Sequence, residues 1–357
     1  VIGGGQAKTM TDHLEARARE LGVEFYMETS ACRLETEAGQ VKGVCAYNAD
    51  QTQGYHFQCH AALIATGGFG NNPEWVKEQF YLSLNEDFFG MRFPGHEGDG
   101  IQMAWDAGVE ESAMIEEMIF DIFRPNSSGS YTNDIKLIMQ QPNLMVNQQG
   151  QRFFNEEQVQ NTTYTGNSLC NQTGNTGFMI LDEAIKQSYV EANHVDFTSR
   201  VWNTDDFTQF DANFKTMEES GYTAIIKADS LDELAAKMGI DAAGLTATVE
   251  SYNQLCAQGY DPLGKSAAYL KPITTAPFYA AQYYPSSYGT LGGIKVNSNL
   301  EVLDQNDQVI AGLYSAGTDS CTVYGDSYMF LLPGNTMGYS VNTGKFVGEA
   351  VSELLKK

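Results

Sequence analysis

Thr290-Leu-Gly-Gly293, Gly312-Leu-Tyr-Ser-Ala-Gly317, Pro333-Gly-Asn-Thr-Met-Gly338 and Gly344-Lys-Phe-Val-Gly348 follow one another closely near the C-terminal end. Each is a glycine-bearing turn beside a short apolar run. Such turns let the backbone approach a flat ligand closely and bond it through N–H groups. The same texture occurs earlier. Ala61-Ala-Leu-Ile-Ala65 reads as a short buried strand running into Thr66-Gly-Gly-Phe-Gly70. A strand that breaks into glycines at its C-terminal end is where open α/β sheets bind ligands.

Working outward, residues 9–21 place Met10, Leu14, Ala18 and Leu21 at helical spacing, and Gly22 supplies the stop. Val23–Met27 reads as a strand. Ala31–Thr36, Val41–Asn48 and Tyr55–Cys59 read as antiparallel strands, with turns at Ala38-Gly39 and near Gly54. Gly98-Asp99-Gly100 opens a helix that Gly108 ends, and its first N–H groups suit an anion. Residues 118–288 hold most of the Asn, Gln and Tyr, and a helix over 241–257 carries Leu245, Val249, Tyr252 and Leu255 on one face. Strand-and-glycine texture resumes after Gly292, and a helix follows from Thr336 to Leu355. The reading is mixed α/β: one unit over 1–117 and 289–357, with 118–288 inserted as a second.

Composition narrows the function. The formal net charge is −24, with 21 Lys and Arg against 45 Asp and Glu. Such a surface repels nucleic acid and anionic lipid. No run approaches the roughly 18 apolar residues of a membrane span. The six cysteines form no C-x-x-C and no zinc-ligand spacing, and the five histidines form no H-E-x-x-H. Free thiols and no metal are expected, although Cys45 and Cys59 flank a hairpin and are able to face each other.

The order of motifs resembles the flavoprotein family of fumarate reductases, succinate dehydrogenases, urocanate reductases and 3-ketosteroid dehydrogenases. The matching pieces are Ala65–Gly70, Gly98–Gly100, Gly150-Gln-Arg-Phe-Phe-Asn-Glu156, Pro277-Phe-Tyr-Ala280, Thr290–Gly293, Leu313–Gly317 and Pro333–Gly338. The resemblance implies non-covalent FAD in a partial Rossmann-like domain, with an inserted α+β capping domain closing over it. It places Ala31 near the adenine through its backbone, and Thr66, Gly67 and Gly68 against the dinucleotide. Gly98, Asp99, Gly100 and Gly292 would line the flavin. Gly317, Gly334, Asn335, Thr336 and Met337 would approach its far end, with the helix start facing the flavin pyrimidine. The family's G-x-G-x-x-G opening is not matched by Val1-Ile-Gly-Gly-Gly5, where the third glycine position is Lys8. The expectation is a chain that begins midway through the FAD domain, a fragment that binds FAD weakly or not at all being the alternative.

Family reductases pass hydride from flavin to an electron-poor C=C bond, and fumarate-type members clamp carboxylates with Arg and His. Here Phe120 falls near the first family His, Met139 near the proton-donating Arg, Tyr288 at the His beside T-x-G-G, and Tyr328 at the Arg before the P-G-N segment. Without Arg a carboxylate clamp loses its charge-assisted bonds. The expected substrate is an unsaturated acid or enone other than fumarate, held by Tyr288, Tyr324 and Tyr328. Phe330 stands where ketosteroid dehydrogenases have Tyr, leaving the Gly334 N–H to polarise a carbonyl. Arg124 is a candidate carboxylate contact, fumarate reduction through it remaining an alternative. Asp326 is a candidate for orienting a phenol. Arg152 is expected to pair with an acidic neighbour and hold the cap together. The electron donor, of flavin, haem or quinol type, is left open, as is the compartment, bacterial cytoplasm or cell envelope.

Overall fold

The computed structural model describes residues 7–90, 93–197, 204, 206–325, 327–329, 332 and 334–356. In chain order the elements begin α1 (Ala7–Glu20), β1 (Thr29–Glu37), β2 (Gln40–Asn48), β3 (Gly54–Gln58), β4 (Ala62–Ile64), α2 (Pro73–Phe80), α3 (Asp99–Asp106) and β5 (Glu111–Ile122). The middle holds α4 (Asn133–Met139), β6 (Leu144–Val146), α5 (Thr162–Cys170), β7 (Gly177–Asp182), α6 (Glu183–Ala192), α7 (Phe210–Glu219), β8 (Ile225–Ala228), α8 (Leu231–Met238) and α9 (Ala242–Gln258). The chain then returns through β9 (Phe278–Ile294), β10 (Glu301–Leu303), β11 (Val309–Ser315) and α10 (Asn335–Leu354).

Two sheets organise these elements. In the first, β1, β2 and β3 form an antiparallel meander, with Ala38 and Gly39 both at positive φ in the β1–β2 turn. β11 runs parallel to β4, pairing Leu313 with Ala62 and Ser315 with Ile64, and touches β2 at Gln40. Gly312 is needed at this crossing, because a Cβ there would lie 2.5 Å from the His60 carbonyl oxygen. α2 and α3 cover the sheet and bury Val76, Ile101 and Ala104 in a core with Ile64, Phe69, Ile294 and Leu313.

β9 is the spine of the second sheet. Its first half pairs with β7 and β8, and its second half with β5. A larger core over this sheet draws on residues from Phe120 to Tyr283. α9 contributes Leu245, Val249 and Tyr252, while Leu255 is only half-buried. β5 and β9 each run as one strand across the joints at 117/118 and 288/289.

Two expectations need correction. Val23–Met27 forms no strand: no strand pairs with it among the described residues, and Val23 and Met27 are exposed. β-branched and aromatic residues do not make a strand without a strand to pair with, even though the Tyr26 ring packs edge-on against Tyr55 and Phe57. The strand at 61–65 is only partly buried, because Leu63 faces outward at 44% exposure while Ile64 is at 3%. The thiols agree with the expectation that they are free, and Cys45 and Cys59 do not bond each other. All six thiols are free, and Cys45 instead sits beside Arg33 and Glu35.

Candidate functional site

The glycine loop after β4 is closed by a carboxylate from far along the chain. Asp319, fully buried, accepts hydrogen bonds from the Thr66, Gly67 and Gly68 N–H groups, the last two at 3.2 and 2.7 Å, and from the Thr66 hydroxyl at 3.0 Å. The N–H groups expected to face a dinucleotide are therefore turned to Asp319. Successive N–H groups with Gly67 and Gly68 at positive φ form an anion-binding nest. Here the anion is internal.

The other glycines divide into two groups. Gly68 lies against the Thr290 hydroxyl, Gly100 against Thr66, and Gly292 against the Ala113 carbonyl, each closer than a Cβ permits. Protein packing, with no ligand present, already requires these three. The Thr290 hydroxyl also accepts the Phe69 N–H at 2.8 Å, which fixes the loop to β9. Gly98, at φ +91, caps α3 and donates its N–H to the Gly68 carbonyl, and Asp99 is the exposed first residue of that helix. Gly338, Gly344 and Gly348, by contrast, have open space around them on α10; a Cβ at Gly334 would meet only the Met337 methyl, at 3.8 Å, and one at Gly317 only Ser340, at 3.4 Å. Ala31 lies on the edge strand β1, beside a bulge, with its backbone accessible.

Where β5, β9 and the start of α10 meet, the predicted tyrosines come together. Tyr324 and Tyr328 are edge to face with ring centres 5.4 Å apart. Tyr324 donates to the Asn335 side chain at 2.7 Å. The Thr336 hydroxyl lies close to both Tyr328 and the carboxyl of Glu117 and favours the ionised form of each, and Glu117 in turn acts on Tyr288 and Tyr324. Burial, then the neighbouring Cys321 and Glu117, push the Tyr324 phenol up to about 12, and Tyr288 and Tyr328 are raised for the same first reason. All three stay protonated at neutral pH and serve as O–H donors. His96 joins the group: its ring covers Gly67, and it lines a small pocket with Ser287, Tyr288 and Gly289.

Two carboxylates here were not anticipated. Glu116 and Glu117 are neighbours on β5, where the register with β9 shifts between Glu116 and Met118, and each is only 6% exposed. Each keeps one oxygen buried with no hydrogen-bond partner among the described residues. Glu116 accepts the Ser287 hydroxyl at 2.6 Å. Burial, aided by Glu117, pushes its carboxyl up to about 8. A folded pKa above the ordinary 4.5 means that stability is full below pH 4.5 and is lost as pH rises towards 8. Glu116→Gln should therefore gain on the wild type by about 2 kcal/mol between pH 5 and pH 7. Paired denaturant titrations at the two pH values check this, and a constant difference would refute it.

Other expected positions lie elsewhere. Met139 is fully buried, its carbonyl accepting the Tyr283 hydroxyl, and Phe120 packs on the Tyr283 ring. Both belong to the second core, because the apolar run of β5 and α4 buries itself there. The Arg124 guanidinium donates to the backbone carbonyls of Lys237, at 3.0 Å, and Thr223, at 3.4 Å. It caps the end of α8 as a C-terminal cation does. Arg152 binds both Glu156 and Asp261, as its motif predicts. Asp326, Phe330 and Val1–Gln6 lie outside the described residues. Among the described residues no His, Cys, Asp and Glu group is arranged to hold a metal ion.

The sequence matches the FAD binding domain family over residues 4–336. The chain belongs to this family. It is 31% identical to vinyl phenol reductase of Lactiplantibacillus plantarum over 98% of its own length and 72% of that protein. It is 30% identical to NADH:acrylate oxidoreductase of Vibrio harveyi over 96% of its length, which is 32% of that protein. A flavocytochrome c3 fumarate reductase in its open conformation has the same fold, with a TM-score of 0.66 at 23% identity over 97% of this chain and 56% of that one. The chain thus spans only a part of several proteins it resembles.

For an FAD-binding chain the residues at α10 fit the flavin. The first-turn N–H groups of Thr336 and Met337 have no intrahelical acceptor, and space is open beside Gly338. Buried Ser315 and Ser320 hydroxyls, which lack partners among the described residues, flank Gly317. A 20-residue helix start favours the negative charge of a reduced flavin. No described helix is long and apolar enough to cross a membrane.

Proposed function

We propose that the chain is the flavin-binding part of a reductase that transfers hydride from FAD to a C=C bond conjugated with a carbonyl or aryl group. The observation that carries this reading is the phenol cluster of Tyr288, Tyr324 and Tyr328 gathered on Glu117 and Thr336 at the start of α10. When bound, FAD supplies the hydride. The chain's own residues hold and polarise the acceptor.

A phenol O–H aimed at a carbonyl oxygen or a conjugated ring stabilises the negative charge that develops there. Its ring also stacks on a planar substrate. A buried carboxyl at Glu117 opposes a dianion in the same space. Fumarate therefore suits the site poorly. Arg124 does not favour the dicarboxylate alternative, since its guanidinium already holds the carbonyls of Thr223 and Lys237. Tyr328 is the best placed donor. Tyr324 acts mainly by holding Asn335, and Tyr288 forms the wall beside Gly289.

The two larger cores support a division of the chain into two domains. Residues 1–117 and 289–357 would form the FAD domain and 118–288 the cap, joined through β5 and β9. The site residues lie along that joint, where closure of a cap expels water. FAD is taken to be held without a covalent bond. The electron donor, whether flavin, haem or quinol, would be a partner outside these residues.

Tyr328→Phe is expected to lower the rate of flavin reoxidation by a conjugated alkene about 10²-fold, the usual effect of losing one preorganised donor. Tyr324→Phe should cost only a few-fold, because its hydroxyl is engaged with Asn335. Anaerobic stopped-flow mixing of the reduced, FAD-reconstituted chain with the alkene measures both. Equal and small effects would remove the phenols from the chemistry.

A further inference from the structure

A second cavity opens beside β5. It is a cleft of about 300 Å³ between β5, the end of α2 and α5. Phe80, Leu82, Met114 and Met118 give it apolar walls, and Asn167 and Glu116 bring polar groups to it. Ser327 and Tyr328 also line it, so it adjoins the phenol cluster.

Glu116 is the feature that needs an explanation. Its carboxyl is buried, one oxygen accepts the Ser287 hydroxyl, and the other has no partner among the described residues. A buried oxygen left unpaired is costly unless a ligand or water completes it. The surroundings restrict what such a ligand can be. Among the described residues no Lys, Arg or His lines the cleft, so an anion would find no counter-charge there. A plain hydrocarbon leaves the oxygen unpaired. A carbonyl compound can accept a hydrogen bond but cannot donate one, whereas a hydroxyl does both and matches a carboxyl in either protonation state. Phenyl and thioether walls suit a flat ring, with sulfur against its edge. A sugar would leave most of its hydroxyls without partners there.

We propose that this cleft binds a small hydroxyaryl compound, its ring between Phe80 and the Met114 and Met118 thioethers and its hydroxyl on Glu116. The cleft then selects alkenes that carry a phenol ring, and Tyr328 stands between the ring and the reacting end. As a substrate site it rests on the reductase reading, but as a binding site it is measured without turnover.

The test is calorimetric titration of the full chain, without flavin, with three probes of similar size: 4-ethylphenol, ethylbenzene and benzylamine. The expected order places 4-ethylphenol at least about tenfold tighter than either of the others. Glu116→Gln should keep this preference within a few-fold, and Glu116→Leu should abolish it while still binding ethylbenzene. Equal affinity for 4-ethylphenol and ethylbenzene in the wild type would overturn the proposal, as would tightest binding of benzylamine. That ranking stands whether or not the leucine variant folds, which its melting curve reports. Alkene reduction with no phenol preference would sink this site and leave the reductase reading intact. Phenol binding with no reduction would do the reverse.

Discussion

Replacing Arg152 with leucine is expected to destabilise the protein by about 3–5 kcal/mol, the usual cost of removing one partner from a buried ion pair. The guanidinium makes two bonds to Glu156, at 2.7 and 2.5 Å, and two to Asp261, at 2.6 and 2.8 Å. Both carboxylates are wholly buried, and Lys265 completes the group at 3.5 Å from Glu156. Glu156 also accepts the Met145 N–H, and Asp261 accepts the Lys265 N–H, so the cluster ties β6 to the loop after α9. Two cations face two anions. With Arg152 gone, Lys265 alone must compensate two buried charges. Its own charge is already disfavoured by burial. Denaturant unfolding followed by tryptophan fluorescence gives the free energy. A loss below 1 kcal/mol would mean that solvent reaches the cluster.

Asp319→Ala should cost about 3 kcal/mol or more, from the buried donors left without an acceptor. It should also weaken FAD at least about tenfold, or 1.4 kcal/mol. The Thr66–Gly68 loop and the turn holding Asp319 would be the two sides of the flavin domain, and this carboxylate locks one to the other. Asp319→Asn keeps an acceptor oxygen but loses the charge, so it should fall between wild type and alanine on both measures. Fluorescence titration of FAD, set beside the unfolding curves, separates a lost binding surface from general instability. Unchanged FAD affinity in a folded alanine variant would show that the loop does not bear on the cofactor.

Local patterns were legible in the sequence wherever the physics is local. Gly98 before α3, the turn at Ala38-Gly39 and the buried stripe of α9 all follow from short-range rules. Arg152 and Glu156 stand four residues apart, which made an acidic partner readable. The family emerged from the order of motifs, since no single glycine turn is specific. What escaped was decided across the chain. Asp319 reaches Thr66, Gly67 and Gly68 from 251 to 253 residues away, and nothing beside it marks it as a cap. Glu116-Glu117 resembles an exposed acidic pair. Both become buried because β5 has elements packed on each face. The glycines divide in a way the sequence does not mark: Gly68, Gly100 and Gly292 are required by neighbouring protein, whereas the open glycines lie along α10. His96 over Gly67 left one signal, a titratable residue two positions before the Gly98-Asp-Gly100 turn.

The most direct measurement is reoxidation of the reduced, FAD-reconstituted chain by a panel of acceptors without oxygen. The acceptors are 4-vinylphenol, 4-hydroxycinnamate, cyclohexenone and fumarate at equal concentration, followed by recovery of flavin absorbance. The expected result is oxidation by at least one of the first three, at least about tenfold faster than by fumarate, since the site lacks the charge-assisted clamp a dicarboxylate needs. Fumarate as the fastest acceptor, or a bound flavin that none of the four reoxidises, would contradict a phenol-lined reductase of conjugated alkenes.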